Sequence, residues 1–224
     1  HANNIKMKKI ALIVAGGKGE RMNANVPKQF LLLNDLPILM HTINAFADFD
    51  KRILVLPQSQ IDNWNALCIQ YMFNTKHTIV TGGINRFGSV KNGLKKVDED
   101  SIVAIHDGVR PLISKNLIEG LISATKKGIG IVPVIPIKDS LRKIEGNKSK
   151  ATSRSNLYKV QTPQCFFSST IKDAYNQIFS IFFTDDASVL ESNGGKIFTV
   201  LGEEKNLKIT NKEDLSIAEI FMRQ

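Results

Sequence analysis

Ile10-Ala11-Leu12-Ile13-Val14 runs directly into Ala15-Gly16-Gly17-Lys18-Gly19-Glu20-Arg21-Met22, and the loop continues to Pro27-Lys28-Gln29. A short apolar run bounded by glycines reads as a strand buried on both faces. The glycines let the backbone take conformations closed to other residues and approach a ligand closely. Arg21 and Lys28 add two fixed cations to the same loop. A strand ending in such a turn presents backbone N–H groups as an anion-binding concavity. The stretch predicts a loop that handles a nucleoside triphosphate.

Downstream the chain alternates. Helices are predicted from Pro37 to about Phe49, over Ile61–Phe73, through Phe87, Val90, Leu94 and Val97, and over Leu117–Thr125. Strands are predicted at Ile53–Leu56, His77–Val80, Ile102–Ile105 and Ile129–Ile135. Further helices are expected over Ser168–Ile178 and Asp185–Ser192, and a strand over Lys196–Leu201. Thr210-Asn211-Lys212-Glu213 reads as a capping box opening a last helix, Glu213–Met222. This pattern predicts an α/β fold, a Rossmann-like, mostly parallel sheet with helices on both faces. Residues 138–159 break it: charges are dense, apolar residues sparse, and Gly146-Asn147 marks a turn, as expected of a projecting β-arm. Ligands of such sheets bind outside the carboxyl ends of the strands. Ala15–Lys28, Thr81–Ser89 and His106–Pro111 all follow predicted strands, so one sheet edge should gather them.

The 224 residues suit one large domain, read as 7–224, with 1–6 a short tail or cloning remnant before Met7. No apolar run approaches a membrane span, and the first residues are not a secretory signal, so a cytoplasmic protein is expected. Cys68 and Cys165 read as reduced thiols rather than a metal or disulfide framework. The net charge of +9 implies attraction to polyanions, but without blocks of like charge or interleaved aromatics it does not point to nucleic acid.

Two nucleotide motifs are excluded. Met22 stands where a dinucleotide fingerprint needs its third glycine, and no G-x-x-x-x-G-K-[ST] occurs. The extended pattern, Ala15-Gly16-Gly17-x-Gly19-x-Arg21-Met22 with Pro27-Lys28-Gln29, resembles the opening of sugar-phosphate nucleotidyltransferases. Later segments narrow the match: Gly82-Gly83-x-x-Arg86-x-x-Ser89-Val90, His106-Asp107-x-x-Arg110-Pro111 and Pro133-x-x-Pro136-x-Lys138-Asp139-Ser140. Gln161-Thr162-Pro163-Gln164, Thr184-Asp185-Asp186-Ala187-Ser188 and Asn206-Leu207-Lys208-Ile209-Thr210 follow in order. Together they resemble the 2-C-methyl-D-erythritol 4-phosphate cytidylyltransferase family.

The resemblance implies that CTP is joined to 2-C-methyl-D-erythritol 4-phosphate, with Mg²⁺ or another divalent ion, giving 4-diphosphocytidyl-2-C-methyl-D-erythritol and pyrophosphate in the non-mevalonate route to isoprenoids. It implies that Arg21, Lys28 and Lys208 are the catalytic cations. Ala15, Gly16, Gly17, Gly83, Ser89, Asp107 and Gly108 match nucleotide-binding positions. Asp107, Arg110, Ser140, Arg154 and Thr162 match substrate-side positions, and Asp107 is also the expected metal contact. His106 is read as structural, because a phosphate monoester nucleophile is already largely ionised at neutral pH. Family members place some substrate-side residues across a homodimer interface, a role suited to the 138–159 arm. Ser140 stands for a usual threonine, Gly108 for a usual alanine and Ile84 for a frequent acid. Two other readings share these motifs: a cytidylyltransferase for ribitol 5-phosphate or another polyol phosphate, and a non-catalytic nucleotide-binding regulatory module.

Overall fold

A computed structural model describes residues 7–16 and 26–223 of the chain. The strands are β1 (Lys8–Val14), β2 (Leu32–Leu33), β3 (Leu36–Pro37), β4 (Lys51–Leu56), β5 (Thr78–Thr81), β6 (Ser101–Asp107), β7 (Ile129–Pro136), β8 (Leu141–Glu145), β9 (Lys148–Thr152), β10 (Tyr158–Val160), β11 (Gln164–Phe167) and β12 (Lys196–Leu201). The helices are α1 (Ile38–Asn44), α2 (Ile61–Gln70), α3 (Arg86–Leu94), α4 (Lys115–Ala124), α5 (Ser168–Ala174), α6 (Asp186–Ser192) and α7 (Lys212–Met222). The main sheet runs β10-β7-β11-β6-β1-β4-β5, with β12 also paired to β7. β1 lies between β6 and β4, parallel to both, and β12 is parallel to β7. The α/β, mostly parallel sheet expected from the sequence is therefore the observed one.

Strand alternation sorts the core onto two faces. Ala11 and Ile13 of β1 pack with Leu54, Leu56 and Ala104 under α1, α2 and α4. Ile10 and Leu12 point the other way, joining Ile53, Val55, Val103 and Ile105 under α3, α5 and α6. Residues 10–13 are fully buried, which explains the unbroken apolar run: each side chain has a helix layer above or below it. Burying each large one contributes about 1.5–3 kcal/mol.

Several local expectations shift. Pro37 stands just before α1 without a capping side-chain hydrogen bond, and the helix ends at Asn44, after which Phe46, Ala47 and Phe49 donate to carbonyls three residues back. α2 ends at Gln70 and α5 at Ala174, short of Phe73 and Ile178. The α7 capping box is Asn211 with Asp214, one residue later than expected. Thr210 instead donates both its backbone N–H and its hydroxyl to the Asp214 carboxylate. The 138–159 segment holds an antiparallel β8–β9 hairpin, turning at Gly146 with φ +56°, a conformation that favours glycine.

Candidate active site

The site grows from register. Val14 pairs with Asp107, so β1 and β6 end level. The ladder then continues past the strand ends: Ala15 N–H donates to Val55 O at 2.9 Å, Gly108 N–H to Val14 O at 2.9 Å and Gly82 N–H to Leu56 O at 2.8 Å. Three loops therefore leave the sheet side by side, at its carboxyl edge.

The first cavity, about 260 Å³, is lined by Ala15, Gly16, Lys28, Gly83, Ser89, Asp107 and Lys208, among others. Its turn is built by short polar side chains. Ser89 Oγ accepts from Gly83 N–H at 3.1 Å and donates to Asn85 O at 2.9 Å, while Asn85 caps α3 by accepting from Gly88 N–H at 2.8 Å. Gln29, buried beneath the loop, donates to Ala15 O at 3.1 Å. Of the expected nucleotide residues, Gly108 lies behind this wall: a Cβ on it would sit 2.8 Å from the Ala15 Cβ. Arg21 and Gly17 lie outside the described residues.

A second cavity of about 260 Å³ shares Arg86, Asp107 and Lys208 with the first and adds Arg110, Gln161, Thr162, Gln164, Thr184 and Asp185. The shared corner is strongly charged. Asp107 Oδ2 accepts from Arg110 Nε at 3.1 Å and pairs with Lys208 Nζ at 3.2 Å. Burial alone would raise the Asp107 carboxyl; Lys208, Arg86 and Arg110 outweigh it and hold the group well below the usual carboxylate range. Asp107 is thus an anion that fixes two cations. Its Oδ1 has no partner among the described residues.

Thr162 ties the corner to the sheet. Its Oγ1 accepts from Asp107 N–H at 3.0 Å and lies 3.0 Å from His106 Nδ1, and His106 Nε2 lies 3.0 Å from Arg110 O. One arrangement satisfies all three contacts: the Thr162 hydroxyl donates to Nδ1, and Nε2–H donates to the Arg110 carbonyl. Burial pushes the His106 pKa down to about 4, so the ring is neutral and structural at pH 7. Asn206 carries the Lys208 segment. Its Nδ2 donates to Thr162 O at 2.8 Å, and its carbonyl accepts from Arg110 Nη1 at 2.8 Å and Gln161 Nε2 at 3.2 Å.

Arg110 and Thr162 therefore meet Asp107 and Lys208, as expected. Ser140 and Arg154 do not: both are exposed on the arm and line neither cavity. Roles for Gln29, Arg86, Asp186 and Asn206 were not read from the sequence, although each sits inside a quoted motif. A larger hollow of about 590 Å³, between Phe49 and α4, gathers no comparable set of groups; its Lys115–Asp48 pair is exposed. Among the described residues no three carboxylate, histidine or cysteine groups form a metal cluster. A single open carboxylate oxygen at Asp107 still fits Mg²⁺ held mainly by phosphates, since that ion often takes only one or two carboxylates.

Known proteins match this chain over nearly its whole length. A family model described as 2-C-methyl-D-erythritol 4-phosphate cytidylyltransferase matches residues 9–224. A protein of that name from Azobacteroides pseudotrichonymphae is 50% identical over 220 residues, spanning 96% of this chain and 98% of its own length. Its namesake from Bacteroides fragilis is 44% identical, with 96% and 100% covered. The crystal structure of the Thermus thermophilus enzyme of the same name superposes with a TM-score of 0.81 at 28% identity, covering 97% of this chain and 100% of that one.

Proposed function

The chain belongs to the 2-C-methyl-D-erythritol 4-phosphate cytidylyltransferase family, and from that premise we propose how its site works. The enzyme joins CTP to 2-C-methyl-D-erythritol 4-phosphate in isoprenoid biosynthesis. An oxygen of the acceptor phosphate attacks the α-phosphorus of CTP in line. The bond from that phosphorus to the β-phosphate oxygen breaks, and pyrophosphate leaves. The nucleophile is already an anion, so no general base is required.

What carries this reading is the meeting of two cavities at Asp107, Arg86 and Lys208. One cavity, floored by Gly16 and Gly83 and reached by Lys28, suits the triphosphate and base. The other, lined by Arg110 and Thr162, suits the acceptor phosphate. The two polyanions repel each other, so cations at their junction lower the barrier most. In this reading Lys28, with Arg21, stabilises charge on the α-phosphate and the departing pyrophosphate, and Lys208 offsets charge where the phosphates meet. Losing one such contact costs about 2.7–4 kcal/mol of barrier. Asp107, through its open oxygen, would hold Mg²⁺ together with triphosphate oxygens; that ion supplies further charge neutralisation when bound. Gly108 acts as a spacer that lets Ala15 approach.

Ser140 and Arg154 are assigned to the acceptor phosphate of a neighbouring copy, which makes the enzyme a homodimer through the 138–159 arm. What supports this is that both are exposed and line neither cavity of their own chain. A cytoplasmic location goes with the nucleotide substrate. Pyrophosphate release with CTP and Mg²⁺ tests the assignment across methylerythritol, ribitol and sugar phosphates. Methylerythritol phosphate is expected to give the highest kcat/KM; a clear preference for ribitol phosphate would overturn the acceptor.

A further inference from the structure

Arg86 opens α3 and borders both cavities, yet the reaction described so far gives it no task. Its guanidinium is clamped by one carboxylate: Nη1 donates to Asp186 Oδ1 at 2.8 Å and Nη2 to Asp186 Oδ2 at 2.6 Å. Asp186 is fully buried at the start of α6, and Tyr175, itself buried, donates its hydroxyl to Oδ1 at 2.6 Å. An arginine carries five N–H donors. The clamp uses two, and Nε–H with one N–H on each terminal nitrogen has no partner among the described residues. The side chain remains 32% exposed, at the corner it shares with Asp107 and Lys208.

A buried ion pair whose sole task was to staple α3 to α6 would not need to stand one-third exposed at the corner shared by two cavities, with donors to spare. We propose that Arg86 is a substrate-binding residue, a pre-oriented fork that takes oxygens of the acceptor phosphate. Asp186 and Tyr175 are its positioning residues. The inference rests on the cytidylyltransferase reading above and adds a contact to it. The acceptor is favoured over the nucleotide because the clamp comes from the acceptor side: Asp186 follows Asp185 and Thr184, which line only the second cavity. A planar, permanently charged fork suits a phosphate better than an ammonium does. Held by a buried carboxylate, it loses little rotamer freedom when substrate binds.

The test separates binding from stapling. Arg86→Gln alone strands a buried carboxylate and risks the fold, so it is paired with Asp186→Asn, leaving no unpaired charge while Tyr175 keeps an acceptor. Steady-state kinetics are read beside the thermal midpoint, together with Arg86→Lys, which keeps one charge contact to Asp186 without the fork. In the folded double variant the KM for methylerythritol phosphate should rise about tenfold to a hundredfold, as expected for lost charged hydrogen bonds, with the CTP KM within about threefold of wild type. Arg86→Lys should recover part of the acceptor KM. An unchanged acceptor KM in a folded variant overturns the inference and leaves Arg86 a staple. A rise confined to the CTP KM also overturns it, moving the fork to the nucleotide. A wild-type chain that releases no pyrophosphate with any acceptor overturns the activity assignment itself, a result distinct from either.

Discussion

A Cβ added to Gly83 would lie 2.6 Å from the Gly88 carbonyl carbon and 2.8 Å from its Cα, both backbone atoms of the first turn of α3. Nothing flexible can give way there, so the turn that carries Ser89 and Asn85 must open. Gly83→Ala should cost about 1–3 kcal/mol of stability, the usual penalty of overpacking, and raise the CTP KM about tenfold. Gly120, exposed within α4 with nothing within 4 Å of its Cβ position, is the control: Gly120→Ala should stabilise by about 0.5–1 kcal/mol. Denaturant midpoints decide between them, and equal effects at the two glycines would refute the packing argument. His106 makes a pH prediction. Its pKa falls from 6.5 in the unfolded chain to about 4 in the fold, so the unfolded state binds the extra proton between those values. Its contribution is complete above pH 6.5 and is lost as pH falls toward 4, a swing of about 3 kcal/mol. Asp107 acts separately, because its depressed carboxyl loses stability only in more acid solution. In His106→Gln the part of the slope between pH 6.5 and 4 that belongs to this ring should vanish; an identical slope in both proteins would show that the fold does not lower the His106 pKa. Such contacts were not legible in the sequence: His106-Asp107 can be read as a motif, but the partner of each ring nitrogen comes from residues 110 and 162.

At the scale of elements, α2 is held to the sheet by an aromatic contact that a spectrometer can follow. Trp64, the only tryptophan, donates Nε1–H to His77 Nε2 at 2.9 Å, while His77 Nδ1 donates to Thr75 O at 2.7 Å. Burial lowers the His77 pKa, so this ring also contributes stability that is present at neutral pH and lost on acidification below about 6.5. Protonation removes the acceptor, and the Trp64 emission should shift to the red on acidification below pH 6.5, a change absent from His77→Gln. Emission that stays constant in the wild type over that range would sink the idea. The apolar spacing of Ile61, Trp64, Leu67 and Cys68 made α2 legible, as the buried runs made β1, β4, β6 and β7 legible. β11 was not. Its four residues sit between Pro163 and a helix that begins at Ser168 without a polar boundary, and an apolar run carries no sign of direction. Yet β11 runs antiparallel against β6, and its neighbour Thr162 is what reaches Asp107. The α7 cap was misplaced by one residue because Thr210 and Asn211 both suit a cap; Asp214, which serves both, decides it.

The whole molecule carries a hairpin that its own body does not explain. β8 and β9 form a separate two-stranded sheet, exposed from Arg142 to Thr152, and an isolated hairpin of that size is marginal in water. Residues 138–159 hold seven lysines and arginines against two acids, while Ile144, Leu157 and Tyr158 face solvent. A surface both cationic and apolar fits another copy whose cavity awaits a phosphate, which is the cross-subunit arrangement proposed for Ser140 and Arg154. Subunit mixing tests it without a structure of the dimer. Lys28→Ala and Arg154→Ala should each fold and each lose at least about a hundredfold in turnover. If Lys28 and Arg154 serve one site from two chains, a mixed dimer has one site with both lesions and one with neither. Equal amounts unfolded and refolded together should then recover about a quarter of wild-type activity per chain, half the dimers being mixed and half their sites intact. If both residues serve the site of their own chain, every site keeps one lesion and mixing restores nothing. Sedimentation of the arm-deleted chain separates assembly from chemistry: it should be monomeric, and full activity in that monomer would remove the reason for the arm's place in the site.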